Sequence, residues 1–277
     1  RAATLNRYTS AMPRMFRNIC ALTALLAAAG GAAGEHDLDT QCALQLSTKA
    51  PLRLAVFMTT HWSDHHKQYL PCWERAVQHL SLLRDADLIL YTSGNISSSE
   101  LARFQFRNIT VRKYINRGWQ EGAVQAVQDG FGARGYQEKW FEGYDWVIRL
   151  NPDVLIMDDK WLLETMGDAS VDGIFGQCMG RQLHTDFFAV RPQAMDHTIV
   201  DECPPTSAEK HFQCAAKSIL KSNRYAWIKN YKNAACHIVG VNSPVVHSHA
   251  LWKCCPDYFA AHESSLCLEA LEQGNPR

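Results

Sequence analysis

The stretch YDWVIRLNPDVLI, residues 144–156, decides the fold. Its apolar run at 146–150 contains a single arginine and is typical of a strand covered on both faces. Asn151, Pro152 and Asp153 follow. Because proline cannot donate a ladder hydrogen bond and keeps the preceding residue extended, the strand is expected to end here. The sequence therefore places the Asp153 carboxylate just beyond a buried strand, where it could bind Mg²⁺ or Mn²⁺. The alternative is that Asn151, Pro152 and Asp153 only form a turn and bind no ligand.

Short apolar runs recur before this stretch and predict three more strands, at 52–58, 87–91 and 109–114. Helical spacing of apolar residues after Pro71 and from Trp119 predicts helices between them. Strand and helix alternate across residues 52–150, which predicts an α/β domain with a mostly parallel sheet flanked by helices. Ligands of such sheets bind beyond the carboxyl ends of the strands, where Asp153 lies.

The pattern continues beyond the opening stretch. We expect Asp158 or Asp159 to cap a helix that ends at Gly167, and Thr206 and Glu209 to form a capping box before another helix. Two further strands are expected, at 173–176 and 186–190.

The composition is that of an ordinary globular protein. The 277 residues are 47% hydrophobic and 20% charged, which suits a large buried core. The 28 basic and 28 acidic residues give a formal net charge of zero, and the sequence contains no basic block. Because nucleic-acid binding depends on a basic patch or stripe, we expect no nucleic-acid partner.

The N-terminal region has the pattern of a secretory leader. Arg14 and Arg17 precede an apolar run at 19–29, and small residues follow at 30–34. This order predicts a signal peptide that is cleaved after Gly34. The run is shorter than the roughly 20 residues of a membrane span. An uncleaved signal-anchor is the alternative, and is the one way in which we expect the chain to contact a membrane.

We therefore divide the chain into three parts: a leader and signal peptide at 1–34, a polar linker at 35–50 and a single globular domain at 51–277. The expected location is the lumen of the secretory pathway, in the Golgi or the endoplasmic reticulum, or outside the cell. Two glycosylation sequons, at Asn95 and Asn108, agree with that location.

Cysteine usage also agrees with an oxidising compartment, where disulfides form. The sequence has nine cysteines after residue 34, so at least one does not pair within the chain: Cys42, Cys72, Cys178, Cys203, Cys214, Cys236, Cys254, Cys255 and Cys267.

The opening stretch resembles the strand that carries the acidic metal motif of GT-A type glycosyltransferases. Other segments of those enzymes are matched, in order, by GWQEGAVQAV (118–127), DGIFGQC (172–178), HTDFFAVRP (184–192) and SPVVHSHALW (243–252). The resemblance covers roughly residues 52–255. It implies a GT-A-like (Rossmann-like) fold, a nucleotide-sugar donor, a hydroxyl acceptor on a glycan, protein or lipid, and Mn²⁺ or Mg²⁺ as the cofactor.

The resemblance also implies roles for particular residues. Asp153 matches the acid that usually binds the metal directly, and His247 or His249 matches a C-terminal histidine that often supplies another ligand. The first acid of the motif is replaced by Asn151. Its amide oxygen is still able to coordinate a cation or bind a ribose hydroxyl, but without charge.

Asp186 lies where these enzymes place the acceptor side of the site, and it is the candidate to accept or orient the hydroxyl proton. It would otherwise cap the start of a strand. Thr59, Thr60 and His61 end the first strand, where relatives contact the nucleotide base. Arg149 is expected to pair with a carboxylate inside the strand.

Two other functions stay open: a non-catalytic nucleotide- or glycan-binding domain on the same fold, and a secreted metallohydrolase that uses the histidines. Two motifs are set aside. The dinucleotide pattern G-x-G-x-x-G at 130–135 follows a helical segment rather than a strand. The histidine cluster HWSDHH at 61–66 lacks the spacing of zinc hydrolases, because Ser63 stands where their second histidine lies.

Overall fold

The computed structural model describes residues 51–178, 182–230, 232–234, 237–239, 243–249 and 252. The predicted leader and linker at 1–50 therefore lie outside the described residues. So do five of the nine cysteines that follow residue 34: Cys42, Cys236, Cys254, Cys255 and Cys267. Within the described ranges, no helix is both long enough and apolar enough to cross a membrane.

The strands, in chain order, are β1 (Leu54–Thr60), β2 (Asp87–Thr92), β3 (Ile109–Lys113), β4 (Trp146–Leu150), β5 (Val154–Ile156), β6 (Gly173–Gln177), β7 (Leu183–Val190), β8 (Tyr225–Trp227), β9 (Lys232–Ala234), β10 (His237–Val239) and β11 (Val245–His247).

The α-helices are α1 (Asp64–Lys67), α2 (Leu70–His79), α3 (Ser81–Asp85), α4 (Ser98–Arg103), α5 (Trp119–Phe131), α6 (Ala133–Gln137), α7 (Asp159–Gly167), α8 (His197–Glu202), α9 (Ala208–Ala215) and α10 (Lys217–Ser222). A 3₁₀ turn spans Pro192–Ala194.

Seven of the strands form one sheet in the order β3-β2-β1-β4-β7-β6-β8. All neighbouring pairs are parallel except those made by β7, which is antiparallel to both β4 and β6. The predicted mostly parallel α/β sheet is confirmed. Since β7 runs against β4, its first half lies beside the carboxyl end of β4, and Leu150 pairs with Phe187.

Apolar residues cover both faces of the sheet, which explains the nearly continuous apolar runs of its central strands. In β1, Val56 and Met58 pack into one buried cluster with α2, whereas Ala55 and Phe57 pack into a second cluster on the opposite face. The site described below is thus held by strands that are fixed on two sides.

The predicted elements are present, with several differences. The helix after Pro71 is interrupted at Leu80, whose backbone is extended, and so it becomes α2 and α3. Among the short elements, the strands β5 and β8 to β11 and the helices α1, α6 and α8 were not predicted. The expected capping box at Thr206 is wrong, because the Ser207 hydroxyl caps α9 by accepting the Lys210 N–H at 3.4 Å.

A disulfide joins Cys203, at the end of α8, to Cys214 in α9. Cys72 and Cys178 are also disulfide-bonded. Disulfide formation by cysteines of the globular domain, as expected from their number, is therefore confirmed for these four.

The glycines of the G-x-G-x-x-G pattern have a packing role. Gly130 lies within α5 and Gly135 within α6, and a side chain at Gly135 would collide with the Gly130 carbonyl. As expected, this segment does not form the strand-to-helix turn of a dinucleotide site.

Candidate functional site

A cavity of about 930 Å³ opens at the carboxyl ends of β1 and β4. This is the edge of the sheet at which α/β proteins bind their ligands. The candidate residues from the sequence all line it: Thr59, Thr60, His61, Asn151, Asp153, Asp186, His247 and His249.

Asp153 is held at the floor of this cavity by the turn after β4. The Val154 N–H donates to the Asn151 carbonyl at 3.1 Å, and the buried Trp73 indole donates to the Pro152 carbonyl at 2.9 Å. Asp153 itself is only 3% exposed. Its Oδ1 is buried and has no hydrogen-bond partner among the described residues. An ionised, buried oxygen without a partner is costly, so this atom is suited to bind a cation.

Strand β11 brings two histidines to Asp153 from more than ninety residues away. It pairs antiparallel with β5, with His247 opposite Val154. His249 Nδ1 lies 2.7 Å from Asp153 Oδ2, and His247 Nε2 lies 3.6 Å from the same oxygen. Asp153 thus lies close to both of the histidines that were alternative candidates for a second ligand.

His65 joins this group, and the sequence did not predict it. The ligand atoms of His65, Asp153 and His249 all lie within 4.8 Å of one another. The positive φ of Trp62, 52°, turns the chain after β1, and the Ser63 hydroxyl then caps α1. The sequence signal for His65 was the HWSDHH motif, which was rejected as a zinc-hydrolase motif because of its spacing. In the structure, His65 is the histidine of that motif that lies beside the Asp153 carboxylate.

A second group of possible ligands consists of His184, Asp186 and His247, also within 4.8 Å of one another. It is less suited to a cation because the His184 Nδ1 lone pair already accepts the Asp186 backbone N–H at 3.1 Å. His247 lies between the two carboxylates, with Nε2 toward Asp153 and Nδ1 3.8 Å from Asp186 Oδ2.

Asn151 belongs to a chain of hydrogen bonds that crosses three strands. Arg149 Nη2 donates to Thr59 Oγ1 at 2.7 Å, and Thr59 donates to Asn151 Oδ1 at 2.8 Å. Asn151 Nδ2 then donates to Asp186 Oδ1 at 2.6 Å. The expected pairing of Arg149 with a carboxylate takes a looser form, because its Nη1 lies 3.7 Å from Asp186 Oδ1, beyond hydrogen-bond distance.

The residues expected to contact a nucleotide base use their hydroxyl groups within the protein. Besides the Thr59 bonds, Thr60 Oγ1 accepts the Trp62 N–H at 2.8 Å and lies 2.7 Å from His66 Nδ1. His61 lies at the cavity wall. A nucleotide role for these residues stays a prediction.

The electrostatics keep both carboxylates ionised at neutral pH. Burial by itself raises the pKa of Asp153, but the facing His247 and His249 rings hold it well below its ordinary value. Burial also raises the pKa of Asp186, and His247 together with nearby cationic groups brings it below its ordinary value. Burial lowers the pKa of His66 to about 4, so that ring is neutral at neutral pH.

These side chains fit a divalent cation. One carboxylate and two imidazoles converge beside an open cavity, leaving room for ligand or water oxygens. Carboxylate oxygens suit Mn²⁺ and Mg²⁺, whereas imidazole nitrogens suit Zn²⁺ and other transition metals. The donor set is thus compatible with Mn²⁺ and richer in nitrogen than a magnesium site requires.

No family model matches the sequence, and no curated protein matches it. Several solved structures are similar to it. A mannosyltransferase from Pyrobaculum calidifontis, in complex with GDP-Man and Mn²⁺, is 13% identical with a TM-score of 0.42; the match covers 68% of this chain and 60% of that one. Core-mannan synthase A from Aspergillus fumigatus, in its Mn/GDP form, is 10% identical with a TM-score of 0.49 and coverages of 77% and 86%.

A cytidylyltransferase from Leptospira borgpetersenii is also similar, at 13% identity and a TM-score of 0.44, with 80% of this chain and 94% of that one covered. The match to the Pyrobaculum mannosyltransferase covers less than two thirds of that enzyme's length. Similarity at this level assigns neither a reaction nor a substrate to the chain.

Proposed function

We propose that this protein is a metal-assisted glycosyltransferase, which moves a sugar from a nucleotide-sugar donor to a hydroxyl group of a glycan, protein or lipid. The observation that carries the proposal is the buried Asp153 Oδ1, which has no partner among the described residues and lies at the carboxyl edge of β1 and β4. The order of motifs in the sequence, which resembles that of GT-A enzymes, supports the same reaction.

In this proposal, Asp153, His249 and one further imidazole from His65 or His247 hold Mn²⁺ or Mg²⁺. When bound, the cation stabilises the negative charge that develops on the leaving nucleoside diphosphate. The attacking hydroxyl is handled by a side chain of the protein. Asp186, ionised and a quarter exposed, faces the cavity and accepts or orients the proton of the attacking hydroxyl.

A metallohydrolase is the second candidate, because three imidazoles surround Asp153 and a His-Asp-His set suits Zn²⁺. A binding domain without turnover is the third, because Asn151 removes one acid from the motif.

A thermal-shift screen of nucleoside diphosphates, with and without Mn²⁺, separates these functions. If the protein is a transferase, one nucleoside diphosphate raises its melting temperature only when Mn²⁺ is present, and the protein slowly hydrolyses the matching nucleotide sugar. A binding domain shows the shift without turnover. Stoichiometric zinc and no response to any nucleotide would support the hydrolase and contradict the transferase.

We further propose that the protein works in the lumen of the secretory pathway or outside the cell. The leader pattern supports this location, and so does the disulfide between Cys203 and Cys214, since such bonds are rare in reducing compartments.

A further inference from the structure

We propose that Asn151 is a positioning residue, whose carboxamide fixes the Asp186 carboxylate beside His247, next to the cation site. The GT-A resemblance implies an acid at position 151. In this chain Asp186, on the neighbouring strand β7, supplies a negative charge next to that position instead. This role rests on the proposed cation site, and it does not depend on which sugar is transferred.

The direction of the hydrogen bonds determines how the Asn151 amide points. Arg149 is only a donor, so it occupies an acceptor position of the Thr59 hydroxyl at 2.7 Å. Asp186 as a carboxylate only accepts, so the Asn151 amide NH₂ must face it. The amide oxygen then faces Thr59 and receives its hydroxyl hydrogen at 2.8 Å.

This chain explains why an amide suits position 151. An aspartate there would still accept from Thr59, but it has no hydrogen to donate to Asp186 at neutral pH. Two carboxylate oxygens would then face each other where Asn151 Nδ2 and Asp186 Oδ1 are 2.6 Å apart. Like charges at that distance do not both stay ionised without a strong penalty.

The backbone keeps the pair in register. The Asn151 N–H donates to the Asp186 carbonyl at 3.2 Å, next to the ladder between β4 and β7. The side-chain bond uses Asp186 Oδ1, and the other oxygen, Oδ2, lies 3.8 Å from His247 Nδ1. His247 Nε2 in turn faces Asp153 at 3.6 Å. At 3.8 Å the Asp186 carboxylate acts on the His247 ring through its charge rather than through a hydrogen bond, and a fixed charge beside a metal-binding histidine affects the affinity of the site.

An exchange of the two side chains tests this pairing. In Asn151→Asp/Asp186→Asn, residue 151 accepts from Thr59 and from the new amide at 186, so donors and acceptors match again with the same net charge. We expect Asn151→Asp alone to lower the melting temperature of the metal-free protein by several degrees. We expect Asp186→Asn alone to weaken Mn²⁺ binding about tenfold or more.

The exchanged protein should recover the wild-type melting temperature and bind Mn²⁺ within about threefold of wild type, since charge and hydrogen bonds are restored. Asn116→Asp is the matched control. It adds the same charge at the exposed cavity rim, where the side chain keeps accepting the Gly118 N–H, and should change the melting temperature little. Mn²⁺ alone is the probe, followed by calorimetric titration.

Losses in the exchanged protein that equal the sum of the single losses would overturn the pairing. So would an Asn151→Asp protein that keeps the stability and Mn²⁺ affinity of wild type. If Asn151→Asp does not fold, Asn151→Ala replaces it: Mn²⁺ affinity should fall about tenfold, and unchanged affinity would count against the role.

The proposed function is tested separately by nucleoside-diphosphate binding to the wild-type protein. Rescue by the exchange, with no nucleotide bound by wild type, supports the pair and contradicts the transferase. Nucleotide binding by wild type without rescue does the reverse.

Discussion

At the scale of single residues, the site is defined by one carboxylate and the imidazoles around it. Asp153 is buried and ionised, and its Oδ1 has no partner within the described part of the chain. The sequence motif and its family resemblance were enough to select Asp153, His247 and His249. They did not select His65, because its position depends on the left-handed turn at Trp62 rather than on the spacing of the histidines.

We expect His65→Ala to weaken Mn²⁺ or Zn²⁺ binding by about tenfold or more, because it removes one of three converging ligands. Calorimetric titration of the metal-free protein measures this change. His79→Ala, an exposed histidine in α2, is the control and should bind metal as wild type does. Equal affinities for the His65 variant and wild type would show that this ring is not a ligand.

At the scale of elements, the site depends on how α2 holds the turn after β4. The Trp73 indole on α2 donates to the Pro152 carbonyl, one residue before Asp153. The sequence predicted both the helix and the turn, but the contact between them is set by packing across the sheet. In the same way, the Asn151–Asp186 bond depends on the register of β4 against β7, which a single sequence does not show.

Trp73→Phe is expected to lower the free energy of unfolding by about 1–3 kcal/mol, since it removes a buried hydrogen bond and some packing volume. It should also weaken Mn²⁺ binding several-fold, because the turn that carries Asp153 is no longer tied to α2. Chemical denaturation and metal titration measure the two effects.

Trp146→Phe is the matched control, because the buried Trp146 indole makes an equivalent bond to the Met166 carbonyl at 3.0 Å. It should lose similar stability but keep its metal affinity. If both variants lose metal affinity equally, the effect is a general consequence of destabilisation and the specific role of Trp73 is wrong.

At the scale of the whole molecule, the sheet could be predicted because its strands alternate with helices and are apolar on both faces. The reversal of β7 could not, since an antiparallel strand of this length has the same apolar pattern as a parallel one. That reversal is what brings Asp186 to the carboxyl end of β4. The order of the strands around β1 and β4 then places the cavity at the edge where ligands bind.

The disulfide between Cys203 and Cys214 closes a loop between residues 11 apart in the sequence. Replacing both cysteines with serine is expected to lower the free energy of unfolding by about 2–4 kcal/mol, chiefly because the unfolded chain is no longer constrained. Denaturant unfolding of the variant, compared with wild type under oxidising and reducing conditions, measures this loss. A variant as stable as oxidised wild type would contradict it.

The most direct test of the central claim is the release of nucleoside diphosphate from a panel of nucleotide sugars, measured with Mn²⁺ and again after metal removal. The site predicts release from at least one donor by the wild-type protein with Mn²⁺ and none after chelation. Asp153→Asn should lose this activity, whereas Asp85→Asn, the same change at an exposed position, should keep it. Metal-independent release, or full activity in Asp153→Asn, would contradict a cation held by Asp153.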